Sequence, residues 1–261
     1  MYSALTASSH ILVTGASSGI GAALARRYAG PGVRVTLMGR NRDRLDAVAQ
    51  ACRTRGAETA IGVCDVRDAQ AMQYFIESAD AQLPIAVVIA NAGLGGKQVI
   101  AGPSGEAADI ARAIFEINVM GVVNTIVPLL PRLVARGKGH VAIMSSLAAF
   151  VPLPEAPVYS ASKAALRIYG GALRRLLAPR NVCVSVVCPG FVDTPMSASL
   201  TGPRPLLWST ERAANAIVAG LARGKEEICF PWQLSMLAKL CTHLPPALVQ
   251  RLRTSIRSPS Y

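Results

Sequence analysis

Negative charge is what this 261-residue chain has least of: 15 carboxylates face 27 lysines and arginines, a formal charge of +12. Such a balance admits nucleic acid, an anionic membrane surface or a phosphorylated ligand as partner. The arginines are scattered, however (Arg26, Arg27, Arg53, Arg55, Arg174, Arg175, Arg251, Arg253). No basic stripe interleaved with aromatics accompanies them, so no nucleic-acid partner is expected. Charged residues make up only 16% of the chain and apolar ones 51%, which excludes a disordered protein. The six cysteines (Cys52, Cys64, Cys183, Cys188, Cys229, Cys241) contain no C-x-x-C pair. Cys183 and Cys188 stand an odd number apart in an apparent strand and so face opposite ways. Reduced, buried thiols of a cytoplasmic chain are expected, with neither a disulfide framework nor a zinc site. His10, His140 and His243 lack metal-ligand spacing, and the first two stand at the start of apolar runs, where a strand-end histidine is the default. The segment Met1–Ser9 lacks the charged and apolar regions of a signal peptide. No apolar run reaches about 18 residues, so a membrane-spanning helix is not expected.

What is present is an alternation of short apolar runs with helical stretches, the pattern of a doubly wound α/β domain. The runs are 11–13, 33–38, 60–64, 85–90, 140–144, 182–188 and 227–230. They predict a mostly parallel seven-stranded sheet in a single Rossmann domain spanning 1–261. Thr14-Gly-Ala-Ser-Ser-Gly-Ile-Gly21 follows the first run and opens a helix rich in alanine. Gly15, Gly19 and Gly21 let a pyrophosphate approach the backbone, and the helix start offers free N–H groups to it. The second run ends in Gly39-Arg40 with no carboxylate at the turn. An acid there binds the 2′-hydroxyl of NAD, whereas arginine favours a 2′-phosphate. Arg40 therefore points to NADP(H) over NAD, with Arg42 and Arg44 as helpers. Asp65, at the end of the third run beside Val66, accepts from an adenine amino group or caps the next helix. Asn91-Ala92-Gly93 ends the fourth run at the edge where open parallel sheets bind ligands. Asn118 lies among apolar neighbours in a helical region of about 104–135 interrupted by Pro128 and Pro131; structural bonding and catalysis are both open to it. Tyr159 and Lys163 are one helical turn apart, which places an ammonium near a phenol. A neighbouring cation lowers a phenol's pKa from about 10, toward a value useful for proton transfer.

The glycine turn, Asn91-Ala-Gly93, Asn118, Ser146, Tyr159-x-x-x-Lys163 and Pro189-Gly190 stand in the order and spacing of the short-chain dehydrogenase/reductase family, which this sequence resembles over roughly residues 8–195. The resemblance implies catalytic roles for Asn118, Ser146, Tyr159 and Lys163. Tyr159 would be the acid/base, Lys163 would tune it and bind the nicotinamide ribose, and Ser146 would donate to the substrate oxygen. Asn118 would hold a water that relays protons to Lys163, and Ser145 would point away. It implies cofactor contacts from Gly15, Ser17, Ser18, Gly19, Ile20, Gly21, Arg40, Arg44, Asp65, Val66, Asn91, Ala92, Gly93, Tyr159 and Lys163. Pro189, Gly190, Val192 and Thr194 would hold the carboxamide end. Residues 10–195 would be the cofactor and catalytic core, and 195–208 a loop-like substrate lid.

The tail, 231–261, extends beyond the minimal family core. Met236, Leu237, Leu240, Cys241 and Leu244 share a helical face, and Leu248, Val249, Leu252 and Ile256 continue it. Two amphipathic helices there close the pocket, form a contact in a homodimer or homotetramer, or lie on an anionic membrane. The leading expectation is an NADP(H)-dependent oxidoreductase acting on a small-molecule carbonyl or alcohol. The apolar lid and tail (Leu200, Leu206, Leu207, Trp208, Trp232) suggest an apolar or lipid-like substrate. The alternatives are a catalytically silent NADP(H) sensor and a family member serving cell-envelope polysaccharide or lipid biosynthesis. The chain is expected in the cytoplasm, at most peripheral to a membrane.

Overall fold

The structure, a computed structural model, describes residues 9–95, 108–200, 202–242 and 244. Seven strands form one sheet: β1 (Ser9–Thr14), β2 (Val33–Gly39), β3 (Glu58–Val63), β4 (Ile85–Ala90), β5 (Gly139–Met144), β6 (Val182–Pro189) and β7 (Glu227–Phe230). Their order is β3-β2-β1-β4-β5-β6-β7, and every pairing is parallel. The order reverses between β1 and β4, which opens a crevice at the carboxyl ends of the strands. Continuous apolar runs suit strands buried on both faces, and β1 and β5 are buried along their whole length.

Helices cover both faces. On one side α1 (Gly19–Tyr28), α2 (Arg42–Arg53) and α9 (Thr210–Ala222) pack over Ile11, Val13, Val35 and Leu37. On the other, α3 (Ala69–Gln82), the helical stretch 108–136 and α7 (Pro157–Leu177) pack over Leu12, Val88, Val141 and Val184. Asn41, Asp68 and Ser209 cap α2, α3 and α9 through their side chains. The two strand-start histidines are satisfied core residues. His10 bonds the Leu83 carbonyl at 2.6 Å and Thr36 Oγ1 at 2.7 Å, and His140 bonds Ser185 Oγ at 2.8 Å.

Two local expectations need correction. The helical region containing Asn118 is interrupted at Pro128, as expected, and by a π-turn as well. It runs as α4 (Ala108–Phe115), a π-turn (Glu116–Met120), α5 (Gly121–Ile126), a 3₁₀ turn (Val127–Leu129) and α6 (Leu130–Arg136). By length and composition 108–136 is apolar enough to cross a membrane, contrary to the expectation that no such helix exists. Here Ile114, Val122, Ile126, Leu129 and Leu133 face the core against the sheet. Second, 195–208 is not all loop. Thr194 caps a short helix, α8 (Pro195–Ala198), by accepting from Ser197 N while Ser197 Oγ accepts from Thr194 N, and this reciprocal cap overrides the surrounding breakers. The apolar face of α10 (Trp232–Cys241) divides between solvent and the pocket, which this helix closes as one of the alternatives held. Met236 and Leu240 are exposed, Leu237 and Cys241 line the cavity described below, and Ser235 and Ala238 turn to the core. The second tail helix expected at 248–256, and His243, lie outside the described residues.

Candidate active site

At the carboxyl edge of the sheet a cavity of about 920 Å³ opens where β1 and β4 part. Every residue that the family resemblance implies as catalytic or cofactor-binding lines it, except Gly21 and Asn118.

The turn after β1 forms one end. Gly15 and Gly19 adopt φ of +66° and +54°, a conformation that favours glycine. A Cβ on Gly21 would stand 2.3 Å from the Gly15 carbonyl, so Gly21 lies behind the turn and lets it close on α1. Ser18 occupies the N-cap of α1 without a side-chain bond, which leaves the first-turn N–H groups facing the cavity. Asn91 does not offer its amide to a ligand. Its Nδ2 donates to the carbonyls of Thr14 at 3.0 Å and Gly15 at 3.3 Å and stitches β4 to the turn.

Arg40, Asn41 and Arg44 line the outer rim. Arg42, expected as a helper, turns instead to Asp46 at 2.8 Å, because a partner four residues along a helix is within reach. Asp65 lines the cavity, where an adenine acceptor would stand, and is not the helix cap. Its carboxylate takes Arg67 at 2.8 Å and lies 3.8 Å from Arg40, and hydrogen bonding from Arg67 holds it below the usual carboxylate range. Asp68 is the cap of α3.

The polar centre lies deeper. The π-turn brings Asn118 fully indoors, where Oδ1 accepts from Leu94 N at 2.7 Å. Nδ2 donates to the Leu94 carbonyl at 3.1 Å and to Ser162 Oγ at 3.0 Å. Asn118 therefore clamps the strand end after Gly93, beside Lys163; a Cβ on Gly93 would meet Asn118 Oδ1 at 3.2 Å and Lys163 Nζ at 3.5 Å. Lys163 is buried and donates to the Met144 carbonyl at 2.9 Å. Burial holds its ammonium down to about 8. Ser145 points away from the cavity centre to the Lys163 carbonyl, as strand alternation requires, and Ser146 faces Tyr159.

One electrostatic expectation is reversed. Desolvation raises the Tyr159 phenol above its ordinary value, and the opposing influence is a hydrogen bond from Ser146, not the lysine. The Lys163 ammonium sits 5.7 Å from the ring centre and donates to the Met144 carbonyl.

Gly190 N donates to the Phe230 carbonyl at 2.6 Å, and Val192 bridges to Trp208. A Cβ on Gly19 would stand 3.1 Å from the Thr194 methyl group, so the two loops at the cavity's ends lie close together. The rest of the wall is apolar: Leu94, Leu147, Val151, Phe191, Met196 and Leu200, with Leu234, Leu237 and Ala238 from α10. Of Leu200, Leu206, Leu207, Trp208 and Trp232, from which an apolar substrate was expected, Leu200 alone lines the cavity. Trp208 stacks on Phe230 at 4.9 Å in the scaffold, while Leu206, Leu207 and Trp232 face solvent. Leu147, Val151 and Leu234 went unremarked in the sequence because nothing in their spacing marks a pocket wall. Among the described residues no group of three or more His, Cys, Asp or Glu is placed to hold a metal ion.

A family model described as short chain dehydrogenase matches residues 9–204. An oxidoreductase of Myxococcus xanthus is 36% identical over 247 residues, covering 94% of this chain and 96% of the relative. A 1-deoxy-11-beta-hydroxypentalenate dehydrogenase of Streptomyces exfoliatus is 36% identical over 217 residues, covering 80% and 76%. Among solved structures, a short-chain dehydrogenase from Sphingobium yanoikuyae in complex with NADPH superposes with a TM-score of 0.78 at 24% identity, covering 97% of this chain and 98% of that one. One from Mycobacterium paratuberculosis bound to NAD gives 0.76 at 22%, covering 86% and 96%.

Proposed function

Since the chain belongs to the short-chain dehydrogenase family, we propose that it is an NADP(H)-dependent oxidoreductase acting on the carbonyl or alcohol of an apolar, lipid-like substrate. The observation that carries this reading is the meeting of Ser146, Tyr159 and Lys163 with the glycine turn in one cavity whose remaining wall is apolar.

The residues present fit a dinucleotide. Glycines stand where a Cβ would fill the turn, and the uncapped start of α1 offers N–H groups to a pyrophosphate. Gly15, Ser17, Ser18, Gly19 and Ile20 would hold the phosphates, Val66 and Ala92 the adenine side, and Pro189 to Thr194 the carboxamide. The nearby solved structures carry NADPH in one case and NAD in another. Preference for NADP(H) is supported by Arg40 and Arg44 on the rim and by Asp65, whose charge Arg67 already counters. The nicotinamide, when bound, supplies or accepts the hydride. Tyr159 gives its proton to the carbonyl oxygen as charge develops there, and Ser146 donates to that same oxygen. A phenol held protonated suits reduction. Lys163 places a cation beside this pair, and the walls from α10 and α8 exclude water from it.

NADPH oxidation measured across a panel of ketones and aldehydes, bulky apolar ones included, tests the reading. NADPH that binds and is never oxidised by any of them would leave a silent sensor in its place.

A second reading concerns where the enzyme works. Trp232, Met236 and Leu240 form an exposed stripe on α10, on the helix that also walls the cavity. Residues 228–261 hold four lysines or arginines and no carboxylate. Both features support a cytoplasmic protein that rests on an anionic bilayer and draws its substrate from it. Flotation with anionic and with zwitterionic vesicles checks this; equal recovery with both, or none, removes it. Exposed Phe115, Met120, Val127, Ile168 and Leu176 support assembly as a homodimer or homotetramer, which light scattering on the eluting protein reads directly.

A further inference from the structure

Cys188, the penultimate residue of β6, and Cys229, in the edge strand β7, are Cα partners in a parallel ladder. Partners in register send their side chains to the same face. Neighbouring strands lie about 4.8 Å apart, within the Cα separation of about 4.4–6.8 Å that a disulfide spans. Both side chains belong to a small core beneath α10, with Leu147, Phe150 and Ala238. The pair is asymmetric in access, since Cys188 is fully buried and Cys229 is half-buried. It is also asymmetric in charge. A hydrogen bond from Cys188 and the nearby Lys239 ammonium hold the Cys229 thiol down to about 7, against burial and the Glu227 carboxylate. Cys188 is pushed up and stays a thiol. An accessible thiolate with a protonated thiol behind it is the arrangement of an attacking and a resolving cysteine.

The pair is joined to the cleft by the backbone. The next residues on each strand, Pro189 and Phe230, are also Cα partners. Gly190 N bonds the Phe230 carbonyl, and the Pro189 carbonyl accepts from Ser146 Oγ at 3.5 Å. Bringing the two Sγ atoms to bonding distance therefore acts on the backbone that leads into the turn from Pro189 to Thr194 and that carries the acceptor of Ser146 Oγ.

We propose that Cys188 and Cys229 form a reversible disulfide under hydroperoxides, and that this bond shuts the cleft. The Cys229 thiolate attacks one peroxide oxygen, the O–O bond breaks, hydroxide leaves and a sulfenic acid forms. The Cys188 thiol then attacks that sulfur, the S–S bond forms and water leaves, its oxygen coming from the sulfenic acid. In sum two thiols and one hydrogen peroxide give one disulfide and two waters; a dithiol reverses it. Formation of the bond stands on the strand register alone, whereas its effect on turnover rests on the hydride-transfer reading.

The test treats the full-length protein with hydrogen peroxide and follows three quantities in one sample: intact mass after alkylation, NADPH affinity by fluorescence, and turnover. The expected result is the loss of two alkylatable thiols and two hydrogens, with a mapped peptide joining Cys188 to Cys229. NADPH binding weakens about tenfold and turnover falls about 100-fold, the penalty of an ångström-scale misplacement, and dithiothreitol restores both. Cys229→Ser keeps the untreated activity, forms no link and resists peroxide, and Cys229→Ala does the same. Persistence of both thiols, oxygen adducts on Cys229 without a link, or a link to Cys241 instead overturns the switch. A mapped Cys188–Cys229 link with unchanged NADPH affinity overturns the regulation even if no substrate has been found, so its failure is separate from that of the catalytic reading.

Discussion

The Lys163 ammonium donates to the main-chain carbonyl of Met144 at 2.9 Å and leaves the Tyr159 ring centre 5.7 Å away. The phenol accordingly meets burial and Ser146 before it meets the lysine, and its pKa rises. A protonated phenol is the form that gives a proton. Tyr159→Phe removes the proton and little else, so turnover is expected to fall about 10²- to 10⁴-fold, the span of general acid catalysis. NADPH affinity, read by fluorescence titration, stays within a factor of about ten, since one hydroxyl is worth about 0.5–1.5 kcal/mol at most there. Turnover at the unsubstituted rate would remove the proton donor from this account.

Lys163 itself is held at a cost. Its ammonium titrates near 8 in the fold and near 10.5 when free, because burial disfavours the charge. From pH 8 to 10.5 the unfolded chain binds more protons than the folded one, so stability climbs with pH over that window and the penalty is full below it. Lys163→Met is expected to stabilise the cofactor-free protein at pH 7 by about 1–2 kcal/mol, after the lost bond to Met144 is set against the relieved charge. Turnover should collapse in the same variant. Urea unfolding at pH 7 and at pH 10 checks it, and the gain must shrink at the higher pH.

Arg40 is exposed on the rim and only 3.8 Å from a carboxylate, Asp65, that Arg67 already neutralises. It is therefore free to meet a 2′-phosphate. Arg40→Asp replaces that attraction with repulsion, and a charged hydrogen bond is worth about 1.5–3 kcal/mol. The ratio of kcat/KM for NADPH over NADH should drop by roughly 10- to 100-fold. An unmoved ratio would mean the phosphate is read elsewhere.

Gly21 tests the cradle without touching its chemistry. A methyl group there would lie 2.3 Å from the Gly15 carbonyl and 2.6 Å from Asn91 Nδ2, both parts of a fixed turn. Gly21→Ala should cost about 1–3 kcal/mol of stability, as overpacking of a core does, and weaken NADPH binding more than it slows a saturated enzyme. Thermal melts with and without NADPH separate the two effects.

Periodic and local features were legible in the sequence. The strands Ile85–Ala90 and Glu227–Phe230, the helix carrying Tyr159 and the glycine turn are written in runs of neighbouring residues, and the structure places them where those runs stand. What stayed hidden depends on partners distant along the chain. The burial of Asn118 was legible from its apolar neighbours, but the π-turn that carries it and its partners Leu94 and Ser162 were not. The Tyr159 pKa moves upward because the fold buries the phenol, which its neighbours in sequence do not announce. The alternation of strand side chains put Cys183 and Cys188 on opposite faces, yet Cys188 finds its partner in Cys229 through sheet order alone. Trp208 and Trp232, read as pocket lining because they are large and apolar, serve the scaffold and the surface.

His140 offers a test of the fold that is independent of any ligand. Its ring is buried at the start of β5 and bonded to Ser185 Oγ, whose own hydroxyl donates to the Lys225 carbonyl, so Nε2 carries the proton. Burial first, and the Arg174 charge second, hold it down to about 4. Below its ordinary value near 6.5 the unfolded chain takes up a proton that the folded chain refuses until about pH 4. Stability is therefore complete above 6.5 and is lost as pH falls through that window, by about 3 kcal/mol for a shift of this size. His140→Gln keeps an N–H donor for Ser185 and has nothing to titrate. Paired carboxylates weaken both proteins alike in acid, so the quantity to follow is the difference between them. Urea unfolding from pH 7 to pH 4 should show wild type losing about 3 kcal/mol relative to the variant, with most of the change between pH 6 and 4.5, near the middle of the interval that linkage defines. A difference that stays flat across that range would mean the imidazole titrates normally, and that β5 begins in a more solvated setting than its packing shows.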